Sequence, residues 1–146
     1  MNRETILPKI HSLTKHNMTC TELVTANRIL LDMVNGKRSL IGFWETMLLV
    51  PLVPVPLAFM VAPTYTREAS EEQPDLSIRV YLNEQPLKEQ AIRLHFPSGD
   101  LPARSILHIQ HLELPSTGTV QIRAWNQTQN KELICRTYAV NISGQQ

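Results

Sequence analysis

Hydrophobic and polar positions alternate along most of this chain with the two-residue period of a half-buried β-strand. In LSIRVYL, Leu76, Ile78, Val80 and Leu82 share one side, and Ser77, Arg79 and Tyr81 the other. Successive side chains of a strand point to opposite faces, so the first set is expected inward. Residues 89–96 repeat the pattern with Ile92, Leu94 and Phe96, and Val120, Ile122 and Ala124 do so ahead of Trp125. The last alternating run, 132–142, puts Ile134, Arg136, Tyr138, Val140 and Ile142 on one parity. Residues 105–114 are ambiguous. Ile106, His108, Gln110 and Leu112 fall on one side and Leu107, Ile109, His111 and Glu113 on the other, so neither is clearly the inner one.

The largest apolar stretch, 25–66, reads as a hairpin followed by a third strand. Asn35-Gly36 lies between two apolar runs, expected as strands at 22–34 and 38–49, and tolerates the positive φ of a two-residue turn. That turn would place Leu31 opposite Leu40, Ile29 opposite Gly42 and Asn27 opposite Trp44. Ile29, Leu31, Met33, Leu40 and Trp44 then form one apolar face, while Arg28, Leu30, Asp32, Ser39, Ile41, Phe43 and Glu45 share the other. Gly42 inside a strand signals a bulge or a close approach.

Residues 47–62 carry no charge. A membrane helix is opposed by Pro51, Pro54 and Pro56, each costing roughly 3 kcal/mol within a helix. The expectation is an extended crossing between two sheets, then a strand at 57–66. Leu52, Val53 and Pro54 are candidate contact residues for a protein partner or a second copy. The alternative is that they plug the end of the fold.

Turn signals separate the alternating runs at 83–86, 97–100, 115–118 and 126–131. The pattern predicts an all-β fold, an antiparallel two-sheet sandwich of about seven to eight strands, immunoglobulin-like or C2-like. The chain has 146 residues, enough for one domain with its own core. That domain is expected at 19–146. Residues 1–18 read as a flexible extension whose weak stripe, Ile6, Ile10 and Leu13, is broken by Pro8, and Met18 is a candidate start.

A net charge of +1 gives no reason to expect nucleic acid, and no membrane partner is expected. Cys20 and Cys135 are too few for a disulfide framework and read as reduced thiols. The start lacks a secretory apolar core, so a cytoplasmic protein is expected and the sequons at Asn17, Asn126 and Asn141 read as accidental.

Candidate chemistry is sparse. His95, His108 and His111, with Asp100, are the best metal candidates, but residues three apart on a regular strand face opposite ways. Glu68, Glu71 and Glu72 lack the spacing and glycine of a calcium loop. No G-x-S-x-G elbow occurs, and Gly36-Lys37-Arg38-Ser39 lacks the upstream glycine of a phosphate loop. No cofactor, metal or catalytic set is expected. Trp44 reads as core. Trp125, beside a polar turn, is a candidate binding aromatic.

Two stretches carry a likeness. TANRILLDMVNGKRSLIGFWETM resembles the opening of a group of small bacterial β-sandwich proteins of unknown function. HIQHLELPSTGTVQIRAW is similar to their later half, and to many immunoglobulin-like and C2-like sandwiches. The resemblance spans about 22–142 and implies the fold; it implies no catalytic residues. The expected function is a non-enzymatic protein-interaction or structural module. The alternative is a small-ligand binder, for example of carbohydrate, using Trp125. A metal-dependent enzyme using His95, His108 and Asp100 is third.

Overall fold

Leu76, Ile78, Val80 and Leu82 are all buried, as their alternation requires, and so are Val120, Ile122 and Ala124. They line one wall of a two-sheet β-sandwich. The computed structural model describes residues 18–67, 74–94 and 102–143. Ten strands form there: β1 (Met18–Leu31), β2 (Arg38–Phe43), β3 (Met47–Val50), β4 (Val55–Arg67), β5 (Leu76–Leu82), β6 (Gln85–Ile92), β7 (Ala103–Arg104), β8 (Leu107–Leu114), β9 (Gly118–Asn126) and β10 (Lys131–Ile142). The first sheet runs β2-β1-β4, with β7 and β8 both on the far side of β4, and the second runs β3-β10-β9-β5-β6. Leu23, Phe59, Val61, Tyr65, Leu107 and Ile109 face the second sheet's apolar wall in one core. Each fully buried Val, Leu, Ile or Phe contributes about 1.5–3 kcal/mol to holding the sheets together.

The count exceeds the expected seven to eight because the run 38–49 is two strands in different sheets and the two-residue β7 forms ahead of β8. β2 pairs with β1, whereas β3 pairs in parallel with β10. Pro51 to Pro54 then carry the chain across to β4 in the first sheet, as the proline spacing predicted, with a cis bond between Val53 and Pro54. No helix among the described residues is long and apolar enough to cross a membrane.

The ambiguous run 105–114 is resolved by a bulge. Leu57 pairs with Leu112 and Phe59 with Ile109, so β8 spends one extra residue there. His111 takes up the strain at φ 59°. Leu107 and Ile109 before the bulge and Leu112 and Leu114 after it are all buried. A bulge re-aims the side chains beyond it, which strict alternation cannot express.

Three expectations need correction. The hairpin pairs Leu31 with Arg38 and Ile29 with Leu40, two residues from the expected register. Asp32 causes this: its Oδ1 accepts from the amides of Val34 at 2.8 Å and Asn35 at 3.3 Å, and its carbonyl accepts from Gly36 at 2.8 Å. An aspartate that captures the amides ahead of it builds a longer loop than Asn-Gly alone would. The shift is even, so both faces keep their members. The two-residue turn with two positive φ values lies instead at Asn83 and Glu84, φ 50° and 67°, between Leu82 and Gln85. Finally, Met18 belongs to the domain: it is buried and pairs with Arg67. Residues 1–17, the acidic cluster Glu68, Glu71 and Glu72, and His95, Phe96 and Asp100 lie outside the described residues.

A candidate interaction surface on the curled hairpin

β1 pairs with β4 only as far as Ala26, opposite Met60. Beyond that point it turns away with β2. A single contact shows this: Arg38 Nη2 lies 2.9 Å from Glu22 Oε1. Arg38 is paired with Leu31, nine residues along β1 from Glu22. A straight strand of that length spans about 30 Å, beyond the reach of the two side chains. The hairpin therefore curls back over the outer face of the first sheet.

Small residues make this close packing feasible. Ala26 and Ala62 are fully buried beneath Ile29, with Val24 and Met60 alongside, in a second apolar cluster separate from the main core. The Ile29 amide donates to Met60 Sδ at 3.1 Å. Gly42, at φ 68°, abuts Asn27, and a Cβ there would sit 2.3 Å from Asn27 Nδ2. Asn27 is held in turn by Trp44, whose Nε1 donates to Asn27 Oδ1 at 3.1 Å. The indole enters the main core, its ring centroid 4.6 Å from Phe59 and 5.3 Å from Tyr138. The arm is thus anchored at its base by a buried aromatic and near its tip by an ion pair.

Ile29 and Arg38 turn toward the body, although Leu31 and Leu40 on the same face remain 47 % and 40 % exposed; the pairs Leu30–Ser39 and Arg28–Ile41 lie on the other face. On that face three apolar side chains stand beside Arg28 and Ser39. Leu30 is 43 % exposed, Ile41 49 % and Phe43 52 %, with Met33 and Val34 almost bare at the tip. A cleft of about 380 Å³ separates the tip from the β7–β8 connection, between Leu31, Gly36 and Arg38 on one side and Arg104, Ser105 and Ile106 on the other. These residues are what sequence reasoning missed as a site. The signal is present in Leu30, Ile41 and Phe43, which lie among polar residues on the hairpin's second face, because a two-layer sandwich covers only one face of an edge hairpin.

The residues singled out from sequence do not converge. Leu52 is 57 % exposed, Pro54 is exposed, and Val53 is half-buried against the main core. Trp125 is opposite Glu132 at the start of β10, whereas β3, which leads into Leu52, ends opposite Ile142 at its close. The contact triplet and Trp125 are therefore at opposite ends of the second sheet.

Trp125 already has an occupant. The Arg79 guanidinium carbon stands 4.1 Å over its ring, and that of Arg123 stands 4.1 Å over Tyr81. Glu89 accepts from Arg79 Nε at 3.0 Å, Ser77 at 2.9 Å and Gln127 at 2.6 Å. Burial alone raises the Glu89 pKa, but these hydrogen bonds outweigh it and hold the carboxyl below its usual range. The ladder reads as cross-strand packing on the outer face.

The bulge places His108, Gln110 and His111 all at exposed positions, with Gln110 Nε2 and His108 Nδ1 3.1 Å apart. Among the described residues no three His, Cys, Asp or Glu side chains stand close enough to hold a metal. Cys20 and Cys135 are free thiols. Burial pushes the Cys20 thiol up to about 11, which leaves it protonated and a poor nucleophile at neutral pH. No protein family and no curated protein matches the chain.

Proposed function

We propose that the protein is a non-enzymatic interaction module of the cytoplasm whose contact surface is the curled hairpin β1–β2. The observation that carries this reading is the outward stripe of Leu30, Ile41 and Phe43 on an arm anchored at both ends. A contiguous apolar patch on a braced scaffold marks a contact site, because ordering has been completed before a partner arrives. Two free thiols accord with a reducing compartment. The carbohydrate alternative through Trp125 has weaker support, since Arg79 covers the indole face that a sugar ring would stack on.

The test is recovery of partners from the source cells with wild-type protein and with an Ile41→Ser/Phe43→Ser double variant. Both positions are exposed, so the variant should keep the wild-type thermal midpoint and lose the partner. Unchanged partner recovery would rule the hairpin out as the contact surface.

A further inference from the structure

We propose that the occupant of this surface is a second copy of the chain, paired antiparallel through the open edge of β2 about a two-fold axis at Ile41. The inference rests on the interaction reading above. β2 is the outer strand of the first sheet, bonded on one side to β1 and to no other strand among the described residues. In an antiparallel ladder alternate residues turn their N–H and C=O groups away from the partner strand, so that edge keeps a row of donors and acceptors for another strand.

The other edges are defended. β6 carries Pro86, Lys88 and Glu89, β3 has four residues, and β8 is interrupted by the His111 bulge. Proline, charge, shortness and bulges are the usual devices against edge pairing. β2 carries no proline and no charge along Ser39, Leu40 and Ile41, its irregular residue Gly42 at φ 68° comes after them, and the charge of Arg38 is engaged by Glu22.

Charge selects the register. Lys37 precedes β2 and Glu45 follows it; both are exposed and neither has an ion-pair partner among the described residues. With Ile41 on the axis, Lys37 faces Glu45 of the second copy, and the two-fold makes the same pair again at the other end. Ser39 then faces Phe43 of the second copy. Leu40 faces Gly42, which takes no room from the larger side chain. The apolar residues on the outward side, Leu30, Ile41 and Phe43, become one stripe across the axis. An isologous contact needs this self-complementarity.

The test is the mass of the full chain in solution by sedimentation equilibrium up to about 100 µM, a range that reveals a small interface. A dimer is expected, and Ile41→Lys should weaken it by about tenfold or more. Lys37→Glu and Glu45→Lys should each weaken it alone, because each sets like charges together at both ends. Mixing those two variants should restore association, since each then meets its opposite. A dimer that ignores Ile41→Lys, or a mixture that fails to associate, overturns the proposal. A monomeric wild type also overturns it; the interaction reading then stands or falls separately on whether the Ile41→Ser/Phe43→Ser variant loses a different protein.

Discussion

Arg38 Nη2 reaches Glu22 Oε1 at 2.9 Å, and this single ion pair ties the far end of the hairpin to the outer face of its own sheet. Glu22 also accepts from the Thr64 hydroxyl at 3.3 Å, so the carboxylate bridges β4 and the arm. The carboxylate is half exposed, and an exposed pair contributes no more than about 1 kcal/mol to global stability. Its effect should be local. Glu22→Gln is expected to leave the urea midpoint nearly unchanged while hydrogen exchange across 28–43 accelerates. Exchange at the wild-type rate would show that Ile29 and Trp44 hold the arm without the clasp.

The two glycines of the hairpin should respond differently. Gly36 has φ 72° and open space around it, so Gly36→Ala is expected to cost about 1 kcal/mol through backbone conformation alone. Gly42 has φ 68° and Asn27 against it, so Gly42→Ala adds a clash and should cost more. Because Asn27 is the obstacle, its removal should recover part of that excess. A double-mutant cycle of Gly42→Ala with Asn27→Ala, followed by denaturant unfolding, checks the coupling. Additive losses would refute it.

How much of this was legible in the sequence follows from where the information resides. β5 and β9 are readable because their alternation is uninterrupted, with one fully buried apolar side and the polar and aromatic residues on the other. The crossing at Pro51–Pro54 was readable because proline forbids the helical alternative. The hairpin loop departs from the two-residue turn that Asn35-Gly36 signals because the Asp32 side chain competes for the backbone amides of Val34 and Asn35. The inner face of β8 was not readable because one residue at positive φ reverses the parity. The parallel pairing of β3 with β10 joins segments about ninety residues apart, and no local pattern encodes such a partner. The exposed apolar residues Leu30, Ile41 and Phe43 are not legible as a surface because polar neighbours share their face.

His111 offers a direct check on the bulge. Its φ of 59° is uncommon for a side-chain-bearing residue and disfavoured for a β-branched one. His111→Gly should be neutral or stabilising by up to about 1 kcal/mol, and His111→Val should be destabilising by a similar amount. Thermal unfolding of both variants distinguishes this from a histidine retained for chemistry, for which stability would not follow backbone preference.

The buried acids set a direction for alkaline stability. Burial lifts Cys20 from 9.0 to about 11 and raises Tyr65 and Tyr138 above their usual 10.0. A group whose folded pKa is raised contributes stability that is complete below the unfolded value and is lost as pH rises through the folded one. From neutral pH the urea midpoint should therefore be level up to about pH 9 and fall above it. Cys20→Ala should flatten the first part of the fall and leave the tyrosine part. In thiol labelling near neutrality, half-buried Cys135 should react first and Cys20 only with unfolding. Equal labelling rates would contradict the burial of Cys20.

The crossing between sheets divides into two kinds of residue, and single substitutions should separate them. Val50 is buried opposite Ile142, and Val53, Val55 and Leu57 pack against the main core, so this side of the segment does plug the sandwich. Met47, Leu49 and Leu52 face outward and are each more than half exposed. Replacing Leu52 and Val53 together by Ser would merge two effects. Val53→Ser alone puts a hydroxyl against apolar neighbours and removes buried methyls, a loss of about 1–3 kcal/mol. Leu52→Ser should change the denaturation midpoint by no more than about 0.5 kcal/mol, as for other exposed positions away from special contacts. If Leu52→Ser also weakens association of the full chain, the contact surface extends from the hairpin to this end of the sandwich. If association is unchanged while Ile41→Lys abolishes it, the contact is confined to the arm. Equal destabilisation by the two Ser variants would show that Leu52 is packed rather than exposed.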